Sequence, residues 1–562
     1  MTSRRDLRAA ERAAEPGSAE PLGAEAPLET DADAAPGSGA DARPRTRRRA
    51  FADAVARVED RLAQPRIRRR LEIGIPVAIL TVAAVARLTA LGHPHLLSFD
   101  ETYYVKEGWS MYRLGYEGEW AEGADERFAA GDPGALTDEP DYVVHPPLGK
   151  WIIGLAMAVV GMGDPFWWRL PVALAGVVLV GLTYAIARGL LGSLAFATFA
   201  GTALAVDGLG IVMSRTSLLD TVLAVFAVAG AGAMLLDRRG SPARTVRALA
   251  AAPGRFGAAM WRRPWLVAAG ALLGAACATK WSGLLFLAAF GLWSVLMDAL
   301  DRRRAGFRHP WAGTLLTQAP ASFLLVVGPA AVVYLASWAG WFGGGWGSQH
   351  MLEHAEDRWT GALAWVPLGL QSLVRYHQQQ AGFHVGLTNG HSYESPAIEW
   401  LWLGRPTAFE MEHVDGGTWW ITALPNPVLW YASVLAIAFL IFHLGRTLDR
   451  RAAFLLVGFL AGYAVWLAFP ERTIFHFYAI VIWPFMLIGL ALALQQLVGP
   501  RAGADAPTRV AAAVAERRAA GWAAVAAIVL VALAALVWFF PVWYGIPLPD
   551  PQIGWRHWPP SG

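Results

Sequence analysis

The sequence predicts an all-α polytopic membrane protein with about eleven transmembrane helices. Of its 562 residues, 55% are hydrophobic and 27 are Trp, a composition too apolar for a soluble enzyme. The apolar residues form long blocks rather than an amphipathic repeat, and a crossing needs about 20 of them. The formal net charge is only +3. The basic residues stand between the apolar blocks, which does not indicate nucleic-acid binding.

The chain begins with a segment that is predicted to be a disordered cytoplasmic tail, residues 1–65. It is rich in Ala, Pro, Gly, Asp and Glu and has too few apolar residues to form a core. Two basic runs, "RPRTRRR" (43–49) and "RIRRR" (66–70), precede the first apolar block. By the positive-inside rule they keep the N-terminus in the cytoplasm.

Loop charge decides how many apolar blocks cross the membrane. The predicted spans are 71–91, 167–188, 192–210, 216–236, 264–280, 281–298, 314–338, 427–446, 452–469, 474–496 and 521–541. With these eleven, the basic loops 237–263, 301–309, 445–451 and 498–518 all fall in the cytoplasm. The block "WIIGLAMAVVGMG" (151–163) has only about 13 residues. Counting it would turn every basic loop outward, so it is predicted to lie at the outer interface.

This topology divides the rest of the chain into four regions. An N-terminal transmembrane region, 66–338, includes a first outer loop at 92–166. A second outer loop, rich in Trp and His, covers 339–426. A C-terminal four-helix transmembrane region (427–541) and an outer tail (542–562) follow.

Polar side chains gather at the outer ends of the spans. Asp100 and Glu101 directly follow the first span. The others are His145 and Lys150 in "HPPLGKW", Arg169 in "WWRLP", Arg215 and Asp220 in "SRTSLLD", Lys280 in "TKWSG", and Arg472 and His476 in "PERTIFHFY". The adjacent pair of acids, Asp100 and Glu101, with several cations suits a reaction in which a carboxylate removes a proton while cations hold an anionic leaving group. A lipid phosphate would be such a group, and the guanidinium fork favours Arg169 over Lys150 for direct contact.

Each of these residues also has a structural interpretation. The side chains of Arg and Lys at span ends often extend to the lipid headgroups and have no catalytic role. Asp220 could simply pair with Arg215, and the Trp-rich loop could be an aromatic belt. His350 and His354 are four residues apart, a spacing that could put both on one helix face, but the sequence fixes no third metal ligand. Binding of a divalent cation is therefore left open, since no clear ligand set supports it. No Gly-rich nucleotide cradle is visible.

The motifs as a set resemble the protein O-mannosyltransferase family in its bacterial, actinobacterial form. The set consists of the motifs quoted above, including "TKWSG", together with "FDETYYVKEGW" and "GLTNGHSYESPAIEWLWLGRP" (386–406). The motifs follow one another in the same order as in the family. The resemblance extends from about residue 75 to the last span. The resemblance implies the membrane glycosyltransferase C-type fold. It also implies a polyprenyl-phosphate-mannose–protein mannosyltransferase of the plasma membrane, with its active site and C-terminus outside. Mannose would pass from polyprenyl phosphate mannose to Ser or Thr hydroxyls, with inversion, and the protein translocation machinery is an implied partner.

The resemblance also assigns roles to residues. Asp100 would be the catalytic base and Glu101 its essential neighbour, although the sequence leaves the reverse open. Arg169 would hold the lipid phosphate, with Arg215, Lys280 and Arg472 as further donor-site cations. His391, Ser392 and Tyr393 would lie in the outer loop that closes over the site, with His145, Lys150, Asp220 and His476 in supporting positions. The loop 339–426 is too short for the β-trefoil domain of the eukaryotic members.

Two other functions fit part of the pattern. A different lipid-phosphate-sugar glycosyltransferase, acting on a lipid or polysaccharide, would use the same acid and cations. A transporter would keep its charges near mid-membrane, among broken helices, and would show two similar halves. No internal repeat is visible.

Overall fold

The computed structural model describes residues 47–142, 144–252, 256–388, 390–503 and 505–558. The chain separates into two units, residues 1–50 and 51–562, and every element after the first turn of α1 belongs to the second. The described helices are α1 (Arg47–Ala63), α2 (Pro65–Leu88), α3 (Glu101–Leu114), α4 (Ala124–Ala129), α5 (Leu148–Val160), α6 (Pro165–Leu191), α7 (Leu194–Val206), α8 (Gly208–Arg215), α9 (Leu219–Arg239), α10 (Ser241–Ala251), α11 (Pro264–Thr279), α12 (Gly283–Arg304), α13 (Pro310–Gly313), α14 (Ala319–Ser337), α15 (Ala339–Gly343), α16 (Gln349–Glu353), α17 (Leu368–Gly386), α18 (Ala397–Trp400), α19 (Pro427–Thr447), α20 (Arg450–Tyr463), α21 (Trp483–Val498), α22 (Thr508–Tyr544) and α23 (Asp550–Gly554).

The strands found among the described residues are short and lie in the two predicted outer loops. β1 (Gly118–Trp120) pairs with β2 (Leu136–Pro140), and β3 (Ala408–Val414) pairs with β4 (Gly417–Thr422), both antiparallel. The fold is therefore helical, as predicted, with two small two-stranded sheets that the sequence pattern did not reveal.

Within the described residues, eight helices are long and apolar enough to cross a membrane. They are α2, α6, α9, α12, the α13–α14 helix (Pro310–Ser337), α19, the α20 helix (Arg450–Ala468) and α22. Helices α7 and α8 are long and apolar enough to cross only when taken together, and they are bent by 51° at the break between them. The predicted spans 264–280 and 474–496 fall on the shorter apolar helices α11 and α21. The total of eleven crossings therefore stays a prediction.

The break between α7 and α8 has a local cause in Asp207. Its Oδ2 accepts a hydrogen bond from the N–H of Gly210 at 3.0 Å, which caps the start of α8. The same side chain accepts from the backbone N–H of Asn426 and from the indole of Trp483. A fully buried carboxyl with these partners fixes α8 against the loop before α19 and against α21.

The predicted disorder of residues 1–65 is wrong for its last part. Residues 1–46 lie outside the described residues, but Arg47–Ala63 forms α1. Its Ala- and Arg-rich sequence favours helix. Glu59 also accepts hydrogen bonds from Arg518 at 2.6 Å and from the Trp522 indole at 2.8 Å, so tertiary contacts hold the helix in place.

The first outer loop carries α3, α4 and α5, and α5 takes the place of the predicted interfacial helix. α3 and α5 approach closely because glycines face each other across the contact. A Cβ on Gly154 would lie 2.1 Å from the carbonyl oxygen of Gly108. This crossing sets the position of α3, and Asp100 stands at its N-terminus.

Candidate active site

Asp100 and Glu101 lie where the chain turns into α3. Phe99, just before them, has a φ of 54°, in the left-handed region that side chains other than glycine rarely adopt. Four aromatic rings surround Phe99 edge-on, with centroids 5.2–5.8 Å away: His391, Phe409, Phe475 and Phe477. Their packing holds a backbone conformation that costs of order 1 kcal/mol and fixes the direction of the two acids.

Glu101 is fully buried, and four hydrogen bonds occupy its carboxylate. Arg169 donates from Nε to Oε1 at 2.9 Å and from Nη2 to Oε2 at 2.8 Å, as a bidentate pair. The backbone N–H groups of Ser217 and Ser98 donate at 2.8 and 3.0 Å. With each oxygen twice bonded, Glu101 is a structural anchor that ties α3 to α6 and to the loop before α9.

Arg169 and Arg215 hold the loop that leads to Asp100. Besides Glu101, the buried Arg169 donates to the carbonyl oxygens of Leu91, Pro94 and Leu96. Arg215 donates to the carbonyl oxygens of Arg87, Thr89 and Ala90 and lies over the ring of Tyr544. Their guanidinium groups are thus occupied by the protein, which does not fit the expected contact with a lipid phosphate.

Asp100 has different surroundings and keeps part of its surface exposed. The hydroxyl of Tyr104, one helical turn away, lies 3.5 Å from its Oδ2. Burial raises the pKa of the Asp100 carboxyl to about 6, with the positive charge of Lys280 acting against this and the negative charge of Asp220 adding to it. A carboxyl tuned in this way is ionised at neutral pH and still basic enough to take a proton.

Lys280 and Asp220 form a buried ion pair next to Asp100. The Lys280 ammonium donates to both oxygens of Asp220 at 3.0 and 3.1 Å and lies 4.1 Å from the centre of the Tyr478 ring. The partner of Asp220 is therefore Lys280 and not Arg215, because Arg215 is directed to the 89–90 backbone.

A cavity of about 370 Å³ adjoins this pair. Apolar side chains form most of its wall, and its polar groups are few. It is lined by His145, Lys280, Trp281, Ser282, Leu284, Leu285, His384, Val385, Val465, Trp466, Phe469 and Arg472. Such a cavity suits a ligand with an apolar body and one charged group.

The polar groups of the cavity are organised around two stacked histidines. The rings of His145 and His384 lie 5.2 Å apart, and the ring of Tyr104 lies 6.0 Å from that of His145. Burial lowers the pKa of His145 well below its usual value and that of His384 to about 4, so both are neutral at pH 7. In the described part of the chain, the buried Nδ1 of His145 has no hydrogen-bond partner.

Arg472 reaches the same cavity from the loop before the 476–481 turn. Its Nε donates to the carbonyl oxygen of His384 at 3.1 Å, and its Nη2 lies 3.3 Å from the His384 Nδ1. Among the described residues it has no carboxylate partner, so its positive charge is not neutralised. Arg472 and Lys280 are the two cations that line the cavity.

Two of the expected site residues lie elsewhere. Lys150 is fully buried between Glu107, at 3.0 Å, and Glu117, at 3.3 Å, where it joins α5 to α3 and to the residue before β1. His476 is fully buried against the ring of Trp430, at 5.0 Å, and lines none of the cavity. The positions of both fit packing better than contact with a substrate.

The loop with His391, Ser392 and Tyr393 reaches the site through Phe99. The His391 ring lies 5.8 Å from that of Phe99 and 5.2 Å from that of Phe475. Its Nδ1 accepts from the backbone N–H of Tyr393 at 3.1 Å, and Ser392 is exposed in the same turn. The family resemblance predicted that this loop closes over the site. In the structure, His391 of the loop contacts Phe99, the residue before Asp100.

No metal site appears in the part of the chain that the structure describes: no three His, Cys, Asp or Glu side chains are grouped to hold an ion. His350 and His354 lie on the second outer loop, where they contact Asp357 at 2.7 Å and Glu356 at 3.2 Å.

Sequence reasoning did not select Tyr104, Trp281, Tyr478 or His384 for the site. Tyr104 stands four residues after Asp100, so helical spacing could have indicated it. His384 was visible only as one of several histidines in a long loop. Its place opposite His145 depends on a contact across 239 residues of chain, which no local pattern reveals.

Known proteins are similar to this chain in sequence and in fold. Residues 369–561 match the family model of the C-terminal four TMM region of protein-O-mannosyltransferase. Residues 144–239 match that of dolichyl-phosphate-mannose-protein mannosyltransferase. A polyprenol-phosphate-mannose–protein mannosyltransferase of Mycobacterium tuberculosis (strain ATCC 25618 / H37Rv) is 32% identical over 519 residues, which are 88% of this chain and 92% of that protein. The chain belongs to the protein O-mannosyltransferase family.

Two further similarities agree with this membership. The protein of the same name from Corynebacterium glutamicum (strain ATCC 13032) is 32% identical over 510 residues, 87% of this chain and 92% of its own length. The Saccharomyces cerevisiae Pmt1-Pmt2 complex, solved with its sugar donor, has a TM-score of 0.63 at 14% identity, covering 86% of this chain and 91% of the yeast chain. The yeast structure shows a shared fold, the membrane glycosyltransferase type that the motifs predicted. The chain is accordingly a membrane mannosyltransferase.

Proposed function

We propose that this chain transfers mannose from polyprenyl phosphate mannose to Ser or Thr hydroxyls of polypeptides, with inversion at the anomeric carbon. The observation that carries the proposal is the position of Asp100. Its half-buried carboxyl stands beside the Lys280–Asp220 pair, and Lys280 and Arg472 line the apolar cavity that adjoins this pair. A base next to an apolar, cationic cavity suits a hydroxyl acceptor and a lipid-phosphate donor.

The proposed reaction is one displacement. Asp100 accepts the proton of the acceptor hydroxyl while the hydroxyl oxygen bonds to the anomeric carbon of mannose. The bond from that carbon to the phosphate oxygen breaks at the same time, and its electron pair leaves with the polyprenyl phosphate. The phosphate is a good leaving group once cations balance its charge, so the reaction needs one carboxylate rather than an acid–base pair.

Arg472 is our main proposed phosphate contact, in place of Arg169 and Arg215, because it has no carboxylate partner among the described residues. Lys280 would assist it with the ammonium N–H that does not bond Asp220. Lys280 and Arg472 both line the cavity, whereas the buried Arg169 and Arg215 donate to Glu101 and to backbone carbonyls. Arg169, Arg215 and Glu101 act as positioning residues. Together they fix the loop before Asp100, so their loss would displace the base without removing it.

The site is proposed to lie at the outer face of the plasma membrane, with the N-terminus in the cytoplasm. The basic loops support this orientation, because they follow the ends of α9, α12 and α19 remote from Asp100. An acceptor polypeptide would then meet the site as it emerges from the membrane. Contact with the translocation machinery is the further partner that the family resemblance suggests.

The test is mannose transfer from polyprenyl phosphate mannose to a Thr-containing peptide, with the full chain in membranes. Asp100→Asn removes the base without changing size, and we expect transfer to fall at least about a hundredfold, the usual contribution of a general base. Asp132→Asn is the matched control, because Asp132 is an exposed acid of the same outer loop that pairs with Arg127. It should transfer at the wild-type rate.

Three outcomes separate the parts of the proposal. Loss of transfer in Asp100→Asn at equal protein level, with Asp132→Asn active, supports both reaction and base. Undiminished transfer by Asp100→Asn would exclude Asp100 as the base. Absence of transfer by the wild type to the peptide, together with transfer to a lipid or polysaccharide acceptor, would reject the protein acceptor.

A further inference from the structure

The β3 strand has one edge without a partner strand. Within the described residues it pairs only with β4, in a sheet of two strands. The side chains of Met411, Glu412 and His413 along it are exposed, Met411 by 52%. An exposed strand edge offers unpaired N–H and C=O groups to another extended chain.

The pairing of β4 shows which β3 groups point to that edge. Thr418 lies opposite His413 in the hairpin. Its N–H and C=O are bonded on the far side, to Leu548, at 2.9 and 3.0 Å. The pair Thr418–His413 is thus of the non-hydrogen-bonded type, in which both residues direct their backbone groups outward. His413 and, two residues earlier, Met411 therefore direct N–H and C=O groups to the free edge of β3. The Met411 N–H there donates to the carboxyl of Glu410, a contact that an added strand would replace.

This edge leads to the proposed base. Phe409, at the other end of β3, packs edge-on against Phe99 with centroids 5.2 Å apart, and Phe99 precedes Asp100. At about 3.3 Å per residue, His413 lies roughly 13 Å along the strand from Phe409. If an extended segment of another chain paired along β3, its next few residues would continue past Phe409. One of them would then lie next to Asp100.

We infer that the acceptor polypeptide binds as an added strand on the free edge of β3, through the backbone groups of Met411 and His413. The inference rests on the proposed function and specifies how its acceptor is held. Main-chain hydrogen bonds give affinity without regard to side chains. An enzyme that holds its acceptor in this way accepts varied sequences around the Ser or Thr, provided that the segment is extended.

A set of N-methylated acceptor peptides tests this directly. Each peptide carries the same Thr and one N-methyl group, moved one position at a time along the backbone. Because an edge strand contacts every second residue of an added strand, methylation should raise KM about five- to tenfold at alternate positions, with little change between them. The same alternation should appear in peptide binding to the full chain, measured by fluorescence anisotropy.

A pair of enzyme variants gives the complementary readout. Met411→Pro removes the outward N–H, which donates to the Glu410 carboxyl when no strand is added, and proline is tolerated on strand edges. Met411→Ala keeps the N–H and is the control. We expect KM for the peptide to rise about five- to tenfold in Met411→Pro only, with KM for the lipid donor and kcat unchanged.

The outcomes distinguish this inference from the proposed function. Transfer or binding that shows no two-residue alternation would overturn the strand mode and leave the reaction intact. Alternating binding without mannose transfer would support the edge and reject the reaction. A Met411→Pro variant that changes the oligomeric state in detergent but not KM would mean that the edge pairs with a second copy of the chain, which also overturns the inference.

Discussion

Asp100 and Glu101 are adjacent in the chain, but their carboxylates have different environments. Glu101 receives four hydrogen bonds, two of them from Arg169, and is fully buried. Asp100 has one long contact, with Tyr104, and a raised pKa. These contacts, which come from α6 and from the loop before α9, support the proposal that Asp100 is the base and Glu101 the anchor.

The two acids should respond differently to loss of charge. Glu101→Gln leaves the buried Arg169 with a neutral partner, and breaking a buried ion pair typically costs about 3–5 kcal/mol. We expect a clear fall in the thermal unfolding temperature of the detergent-solubilised protein. Asp100→Asn should unfold within a few degrees of the wild type while losing transfer. Equal melting temperatures for both variants would contradict the anchor role of Glu101.

The raised pKa of Asp100 predicts a pH dependence of transfer. The group must be ionised to accept a proton, so activity should fall as pH decreases through about 6 and be constant above about 7. The Tyr104 hydroxyl lowers the pKa of Asp100, so Tyr104→Phe should move the acid limb to higher pH. The measurement is kcat/KM for the peptide from about pH 5 to 8. An unshifted limb in Tyr104→Phe would remove Tyr104 from the site.

At the scale of elements, the contact of α3 with α5 decides the position of Asp100, the proposed base. Gly108 and Gly154 let the two backbones approach, and a Cβ on Gly108 would lie 2.8 Å from the carbonyl oxygen of Lys150. The ion pairs of Lys150 with Glu107 and Glu117 add to the same contact. The motif "HPPLGK" is therefore partly a packing motif, whose histidine alone reaches the cavity.

A methyl group at this contact should separate the two helices. Gly154→Ala would place Cβ 2.1 Å from the Gly108 oxygen, so the backbones must move, at a cost of about 1–3 kcal/mol. We expect a lower unfolding temperature and reduced transfer, because α3 carries Asp100. Gly291→Ala is the control, since its Cβ has no neighbour within 4 Å and alanine favours helix. Similar behaviour of both variants would exclude the helix contact as the cause.

At the scale of the whole molecule, α9 separates two polar regions. Its first residues include Asp220, which pairs with Lys280 at the site. Its last residues include Asp237, which pairs with Arg263 at 2.6 Å, and Arg263 also binds Asp298 of α12 at 2.6 Å. A 21-residue helix is about 30 Å long, the thickness of the hydrocarbon core. This separation supports opposite faces for the site and the basic loops.

Cysteine labelling can test that orientation. The native chain has one cysteine, Cys277, which is buried, so the background should be low. We expect an impermeant maleimide to label Ala121→Cys, in the first outer loop, on intact cells. Gly503→Cys, in a basic loop, should react only after lysis. Both positions are exposed. Labelling of Gly503→Cys on intact cells would reverse the topology.

The sequence by itself determined the helical membrane fold, the family and the location of the acids. Hydrophobic blocks and loop charge act locally, and their effects can be read along the chain. The motifs also indicated Asp100, His145, Lys280 and Arg472, which the fold brings to one region. The helix over Arg47–Ala63 was missed because its stability depends on contacts of Glu59 with α22.

Only the tertiary structure decided what each charged group faces. Arg169 and Arg472 look alike in sequence, as arginines at span ends, yet one is bonded to Glu101 and three carbonyls and the other opens to the cavity. A cation is free to bind a ligand when no carboxylate of the protein pairs with it. Whether such a partner is near depends on residues that are far apart in the chain. The pairing of Lys280 with Asp220, across 60 residues, has the same origin.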